Sequence, residues 1–242
     1  MSESPVELKY MVSETFSPGG GLTGVRNTVV SAKVRNLAFA KDVQLIYTQG
    51  DGQWREAPLT FSRTFGDHDI FERDDDTIVV AQCALRYSSD GATYWDNNSG
   101  WNYSVSGGGP NTVGGNVVLN QATARRGSEA GGGFVFTTSW LEGEIWVKNL
   151  SYQKRVGVRL STNAWVSSND TLASYAGTVT TNEGLSQVEV WKFKTPELNL
   201  DTSQPDFVFV VFYQDLDSGV TYWDNNFGQD FRLSKNEGMV VE

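Results

Sequence analysis

The sequence predicts an all-β protein of two tandem β-sandwich domains, and three observations carry that prediction. A pentapeptide recurs letter for letter, as Tyr94-Trp95-Asp96-Asn97-Asn98 and Tyr222-Trp223-Asp224-Asn225-Asn226. Short apolar runs with period two are separated by turns rich in Gly and Asp. Aromatics make up 12% of the 242 residues and glycines number 25, a profile that suits many strands and tight turns and lacks the Ala- and Leu-rich periodicity of helices.

The recurrence extends well beyond the pentapeptide. Val6-Glu7-Leu8 has a counterpart in Val117-Val118-Leu119, and Gly19-Gly20-Gly21 in Gly131-Gly132-Gly133. Val34-Arg35-Asn36-Leu37-Ala38-Phe39-Ala40-Lys41 reappears as Val147-Lys148-Asn149-Leu150-Ser151-Tyr152-Gln153-Lys154. Trp54 answers to Trp165, and Tyr87 to Tyr213. The spacing widens along the chain, so the second copy carries extra residues around 175–205. Copy one is expected over 1–106, a Gly/Pro linker over 107–115 and copy two over 116–242, each copy long enough to bury its own core.

Within the copies, Val43-Gln44-Leu45-Ile46-Tyr47 and Val156-Gly157-Val158-Arg159-Leu160 alternate as half-buried strands do. Thr77 to Ala81 is expected to be extended and to lead into Leu85-Arg86-Tyr87. Phe207 to Tyr213 is an unbroken apolar run, as a central strand requires. Gly50-Asp51-Gly52, Gly66-Asp67, Asp90-Gly91 and Asp217-Ser218-Gly219 are turns. Tyr87 and Tyr213 are expected to pack within the strands.

Composition removes several function classes. A net charge of −10 opposes binding to nucleic acid and to anionic membranes. A neutral polyol ligand is indifferent to it. The single cysteine, Cys83, excludes an internal disulfide and sits in an apolar run as a buried, inert thiol. Neither a signal peptide nor a membrane-length apolar run is visible, so the expected location is cytoplasmic, with a fragment of a secreted protein as the alternative. The sequons at Asn97-Asn98-Ser99 and Asn102-Tyr103-Ser104 fall on the recurring loop, where a glycan would cover it.

Trp54 and Trp165 each follow a strand and a polar turn, and Trp95 and Trp223 each open an Asp-Asn-Asn segment. Aromatics placed in loops call for something to cover them. The apolar face of a pyranose stacks on an indole, while Asp and Asn give and accept the hydrogen bonds its hydroxyls need. Stacking that removes about 100 Å² of apolar surface contributes roughly 2 kcal/mol, and each net hydrogen bond about 1 kcal/mol. Single sites of this kind bind in the millimolar to micromolar range, and two on one polymer gain roughly 10²–10⁴ by avidity. The plainer reading is that Trp-Asp-Asn-Asn builds a turn that tolerates left-handed backbone.

These residues also carry a resemblance. Val-Arg/Lys-Asn-Leu-x-Phe/Tyr-x-Lys, a Trp after a polar turn, and Gly-x-Thr-Tyr-Trp-Asp-Asn-Asn-x-Gly-x-Asn-Tyr resemble carbohydrate-binding module family 21. These are the starch- and glycogen-binding modules of fungal glucoamylases and of glycogen-targeting phosphatase subunits. The resemblance covers most of both copies. It implies an immunoglobulin-like β-sandwich that binds α-1,4-glucan at two sites per module. It implies a first site of Trp54, Trp95, Asn97, Asn98 and Asn102 in copy one, and of Trp165, Trp223, Asn225 and Asn226 in copy two. Asp96 and Asp224 recur beside them as hydroxyl acceptors or turn residues. The second site would use Phe39 and Lys41, and in copy two Tyr152, Lys154 and Tyr175. Asn102-Tyr103 becomes Asp230-Phe231 in copy two, which departs from the pattern.

No catalytic constellation, cofactor fingerprint or metal-ligand spacing accompanies these motifs. Only Asp96 and Asp224 recur as acids in a ligand-like setting, whereas a glycosidase needs a pair. His68 has no counterpart, and Asp74-Asp75-Asp76 lacks the spaced ligands of a calcium loop. The expectation is a non-enzyme without cofactor whose partner is an oligo- or polysaccharide. A bivalent lectin of fungal type for another glycan, and a scaffold that targets a protein partner to glycogen, are the alternatives.

Overall fold

The computed structural model describes residues 4–16, 25–65, 68–104, 111–113, 115–131, 134–181, 184–199, 206–235 and 240–241. The chain divides into two compact units, Met1–Gly115 with Thr178–Val188, and Asn116–Gly177 with Glu189–Glu242.

In chain order the first stretch forms β1 (Val6–Phe16), β2 (Val25–Arg35), β3 (Asp42–Thr48), β4 (Trp54–Pro58), β5 (Thr60–Phe65), β6 (His68–Asp75), β7 (Gln82–Ser89), β8 (Ala92–Asp96), β9 (Tyr103–Ser104) and β10 (Asn111–Val113). From residue 116 onward follow β11 (Val117–Gly131), β12 (Phe134–Lys148), β13 (Lys154–Ser161), β14 (Asn169–Leu172), β15 (Ser174–Thr181), β16 (Gly184–Lys194), β17 (Leu198–Asn199), β18 (Asp206–Asp215), β19 (Thr221–Asp224), β20 (Phe231–Ser234) and β21 (Val240–Val241). The only helical element among the described residues is a 3-10 turn at Asn98–Gly100. The protein is all-β, as its turn-punctuated sequence predicts.

Each unit is a sandwich of a back and a front sheet. In the first, the back sheet runs β10-β1-β2-β6-β5 and the front sheet β4-β3-β7-β8, with β9 also on β7. From residue 116 onward, the back sheet runs β15-β16-β12-β11-β21, with β17 also on β12, and the front sheet β14-β13-β18-β19, with β20 also on β18; the segment Thr178–Val188 of this back sheet groups with the first unit. Val6, Val30, Ala32 and Val34 meet Val43, Leu45, Cys83, Leu85 and Tyr87 in one core. Ala122, Leu141 and Ile145 are sealed from one side of the other core, and Val158, Phe209 and Val211 from the opposite side. Phe207–Tyr213 is buried at every position, which is what a central strand covered on both faces demands. Tyr87 and Tyr213 are fully buried, each under its own sheet as the strand reading expects.

The chain ahead of Val43 holds the long strands β1 and β2, because Val6, Leu8, Val30 and Val34 alternate inward. Two expectations are corrected. Thr77–Ala81 is not a strand. Its backbone groups are met by side chains instead, with Ser13 Oγ accepting from Val80 N–H and Thr28 Oγ1 donating to the Ile78 carbonyl, so Ile78 and Val80 are buried without a ladder. The expected linker 107–115 contains β10, which pairs Asn111–Val113 with Val12–Tyr10 and so covers an otherwise open sheet edge. Residues 107–110 and 114 lie outside the described residues.

Candidate functional site

The recurring pentapeptide ends one edge strand and opens a loop, and its residues divide by alternation. β8 and β9 both pair with β7, at Leu85↔Asp96 and Cys83↔Tyr103, so residues 97–102 leave the edge opposite Ala84 alone. Asp96 and Tyr103 therefore face inward, and Trp95 and Ser104 outward. The Asp96 carboxylate accepts from the backbone N–H of Leu8 at 2.7 Å and from the Tyr103 hydroxyl at 2.9 Å. Leu8 borders the bulge of β1, where the ladder is interrupted and an N–H is freed. In the second unit Asp224 accepts from Leu119 N–H at 2.9 Å, again beside a bulge, and Phe231 stands where Tyr103 does. Both aspartates are structural staples, so the expectation that they meet sugar hydroxyls is not supported.

The amides build the turn. Asn97 Oδ1 accepts from Gly100 N–H at 2.9 Å, and Asn98 Nδ2 donates to the Asn102 carbonyl at 3.0 Å. Asn225 and Asn226 do the same with Gly228 and Asp230, both at 3.0 Å. Asn98, Ser99 and Asn102 have φ of 52°, 57° and 57°, and Asn226, Phe227 and Asp230 have 52°, 58° and 59°. Asn and Asp enter this left-handed region most easily among residues other than Gly. The turn reading of Asp-Asn-Asn is thus realised in both units.

The indoles behave differently. Trp54, Trp95, Trp165 and Trp223 are 49%, 46%, 37% and 43% exposed. Trp54 opens β4 opposite Thr48, and Trp95 lies opposite Arg86. Both point away from the core on the outer face of the front sheet, three strands across and four residues along, about 20 Å apart at ordinary sheet spacing. A groove of about 470 Å³ beside Trp54 runs between Thr48, Gly50, Gly52 and Ser104. Trp165 instead sits in the β13–β14 loop with φ of 66°. Its backbone N–H is held by Ser161 Oγ at 2.8 Å, and its indole N–H donates to Asp230 Oδ2 at 2.7 Å.

Each of Trp95 and Trp223 has a guanidinium beside its ring. Arg86 Cζ lies 6.0 Å from the Trp95 centroid, and Arg86 forks onto Glu56 with both bonds at 2.8 Å. Arg159 Cζ lies 4.9 Å from the Trp223 centroid and forks onto Asp170 at 2.6 and 2.8 Å. The Arg159 hydrogen bonds hold the Asp170 carboxyl below the usual carboxylate range. Glu56 faces Ile46 and Asp170 faces Arg159 in register. Acids do recur beside these rings, at positions the sequence comparison passed over because the loops before them differ in length.

The second candidate surface divides in the same way. Phe39 and Tyr152 are almost wholly exposed. Lys41 and Lys154 are not, because their ammonium groups are buried against Asn36 and Asp69, and against Asn149 and Glu189. Their charge is spent on fixing the loops that carry the aromatics. Tyr175 is exposed and edge-on to Trp191 with centroids 5.7 Å apart, and Trp191 donates its indole N–H to Glu189. In the first unit exposed Phe61 packs edge-on against Phe71 at 5.9 Å. Phe61 matches Tyr175, since Leu59 N–H and Ala173 N–H both bond the first inward residue of the neighbouring strand.

Sequence reasoning also missed Trp101, 83% exposed on the loop. Its signal was its place inside the recurring segment, where copy two has Gln229. A larger groove of about 610 Å³ on the back sheet of the second unit is floored by Arg125, Glu142, Lys192 and Lys194. There Arg125 pairs with Glu142 at 2.7 Å and Lys194 covers Trp140, as in a solvated charged face.

The chain is 31% identical over 91 residues to protein phosphatase 1 regulatory subunit 3C of Bos taurus, spanning 38% of this chain and 27% of that protein. It is 27% identical over 86 residues to glucoamylase 1 of Rhizopus oryzae, spanning 33% of this chain and 14% of that enzyme. The chain therefore matches about a quarter or less of these relatives' lengths. Among solved structures, the starch-binding domain of Rhizopus oryzae glucoamylase, in complex with β-cyclodextrin and maltoheptaose, aligns with a TM-score of 0.33 and 21% identity over 44% of this chain and 97% of that one. Residues 133–234, which include Trp165, Trp223 and the second Asp-Asn-Asn loop, match the family model of the carbohydrate/starch-binding module (family 21).

Proposed function

We propose that this is a non-catalytic carbohydrate-binding protein that holds an α-1,4-glucan of starch or glycogen type on the outer face of each front sheet. The observation that carries this reading is the placement of the open indoles. Trp54, Trp95 and Trp101 in one unit, and Trp165 and Trp223 in the other, are partly solvent-exposed on or beside those faces. The spacing of Trp54 and Trp95 suits an oligosaccharide crossing the sheet diagonally rather than one sugar ring. We read both units as copies of one module, although the family model matches residues 133–234. The aspartate staple at a first-strand bulge, the left-handed turn and the two front-sheet indoles are common to both. We read the exposed Phe39 and Phe61, and the exposed Tyr152 and Tyr175, as a second aromatic surface in each.

The similarity to a phosphatase regulatory subunit gives some weight to a targeting role in which glucan and a protein partner are held together. Such a role would use the same glucan surface.

The test is titration of the intact chain with maltoheptaose and its retardation in native gels containing glycogen. Binding is expected, with Trp54→Ala plus Trp165→Ala weakening the maltoheptaose affinity of each unit by roughly 30-fold, as one lost stacking face of about 2 kcal/mol per unit implies, and retardation by glycogen falling further with the lost avidity. Unchanged retardation of the double variant would refute the reading. A chain that ignores glucan yet selects another glycan on an array would be a lectin.

A further inference from the structure

A sugar stacked on an indole still needs its hydroxyls met, and each amide of the two Asp-Asn-Asn segments already has one of its two polar atoms engaged in the turn. Asn97 Oδ1, Asn98 Nδ2, Asn225 Oδ1 and Asn226 Nδ2 all bond backbone within their own loops. What lies on the open face beside the second indole is a forked ion pair. In the first unit Glu56 projects from β4 on the same face as Trp54, and Arg86 reaches it from β7 while lying against Trp95. In the second, Asp170 projects from β14, and Arg159 reaches it from β13 while lying against Trp223. The arginine comes from a different strand in each unit. The assembly of edge-strand carboxylate, forked guanidinium and exposed indole is nevertheless the same.

We infer that the pairs Arg86–Glu56 and Arg159–Asp170 are the hydroxyl-reading elements of the two surfaces. This rests on the carbohydrate reading above and assigns its polar contacts. A guanidinium has five N–H donors in one plane, and the fork onto a carboxylate uses two. The end-on fork of Arg86 leaves its Nε–H, and the side-on fork of Arg159 leaves its Nη1 group. The carboxylates keep lone pairs for accepting. Donors and acceptors are thus presented side by side, rigidly, next to a stacking ring, as vicinal hydroxyls require. Solvent-exposed pairs of this kind contribute little to folding, so the fold does not depend on them.

The experiment compares maltoheptaose affinity by calorimetry for the intact chain and for Arg86→Met plus Arg159→Met. Binding is expected to weaken by roughly tenfold or more, as the loss of charge-assisted hydrogen bonds implies, while the melting temperature moves by less than about 4 °C. Arg86→Lys plus Arg159→Lys keeps the charge but not the fork, and it is expected to lose at least about threefold. The lysine pair decides the matter if the methionine pair melts early. Parental affinity in a folded methionine or lysine variant overturns this inference and leaves the carbohydrate reading intact. An unmodified chain that binds no maltoheptaose overturns the carbohydrate reading itself, and this assignment with it.

Discussion

Trp54 and Trp165 stand at the same end of their front sheets, yet different backbones deliver them. Trp54 is the first residue of an ordinary strand, opposite Thr48. Trp165 lies in the loop, before the strand that begins at Asn169, in left-handed backbone that Ala164 shares at φ 53°. The second unit then ties the ring down through Asp230, while no side chain among the described residues accepts the indole N–H of Trp54. The first unit instead has Trp101 on its loop. One unit offers a fixed platform and the other a freer ring, with an additional exposed aromatic on its rim loop. The lesson is that a binding face is specified by which groups reach it, and that hairpin length is negotiable.

Three experiments sharpen that contrast. The largest effect is expected where the units agree. Asp224→Ala removes the acceptor for Leu119 N–H, and Asp96→Ala leaves both Leu8 N–H and the Tyr103 hydroxyl without their bonds. Stranded buried donors cost about 1–3 kcal/mol each, so urea unfolding should show a loss of about 2–4 kcal/mol for each variant. A loss below 1 kcal/mol in both would mean that the staple is dispensable. Next comes the clamp on Trp165. Asp230→Ala should weaken glucan binding by the second unit about three- to tenfold and speed hydrogen exchange at the Trp165 indole. Asn102→Ala should leave the Trp54 indole unaffected, and equal responses would erase the distinction between the platforms.

The smallest effect concerns pH. Arg159 lowers the folded pKa of Asp170, so the stability this carboxylate contributes is present above its unfolded value of about 3.9 and lost only as pH falls through the lowered folded value. Glucan affinity of the second unit is therefore expected to be flat between about pH 8 and pH 5. A titration in that window would point to another group. Cys83 provides a control for intact folding in all three experiments. Burial, with Asp96 nearby, pushes its thiol up to about 12, so it should resist a thiol reagent at pH 8 until the core opens.

Much of this was legible in the residues, and the failures have physical causes. Alternation and turn chemistry announced β3, β13 and β18, because half-burial and full burial leave different patterns. Trp54, Trp95, Trp165 and Trp223 were picked out by the turns beside them, although only Trp165 proves to lie in a loop and the other three lie on strands. The Asp-Asn-Asn segment carried two readings, since the short polar side chains that suit hydroxyls also suit a left-handed turn, and the coordinates show the turn. Lys41 and Lys154 misled for a related reason, as a lysine beside an exposed aromatic looks available until its buried carboxylate is seen. Glu56, Asp170 and Phe61 escaped because a three-residue difference between hairpins shifts their spacing, and a strand ladder re-registers what a linear comparison cannot. Thr77–Ala81 escaped because Ser13 and Thr28, distant in sequence, replace the ladder it lacks.

The carboxylate that closes each rim loop draws its main-chain bond from the opening strand of its own unit, far away in sequence. The shape of each rim loop and the attachment of that opening strand are therefore one event. Peeling β1 or β11 from its neighbour, by nicking or by tension, would slacken the rim, and on the proposed carbohydrate reading would loosen its hold on a saccharide.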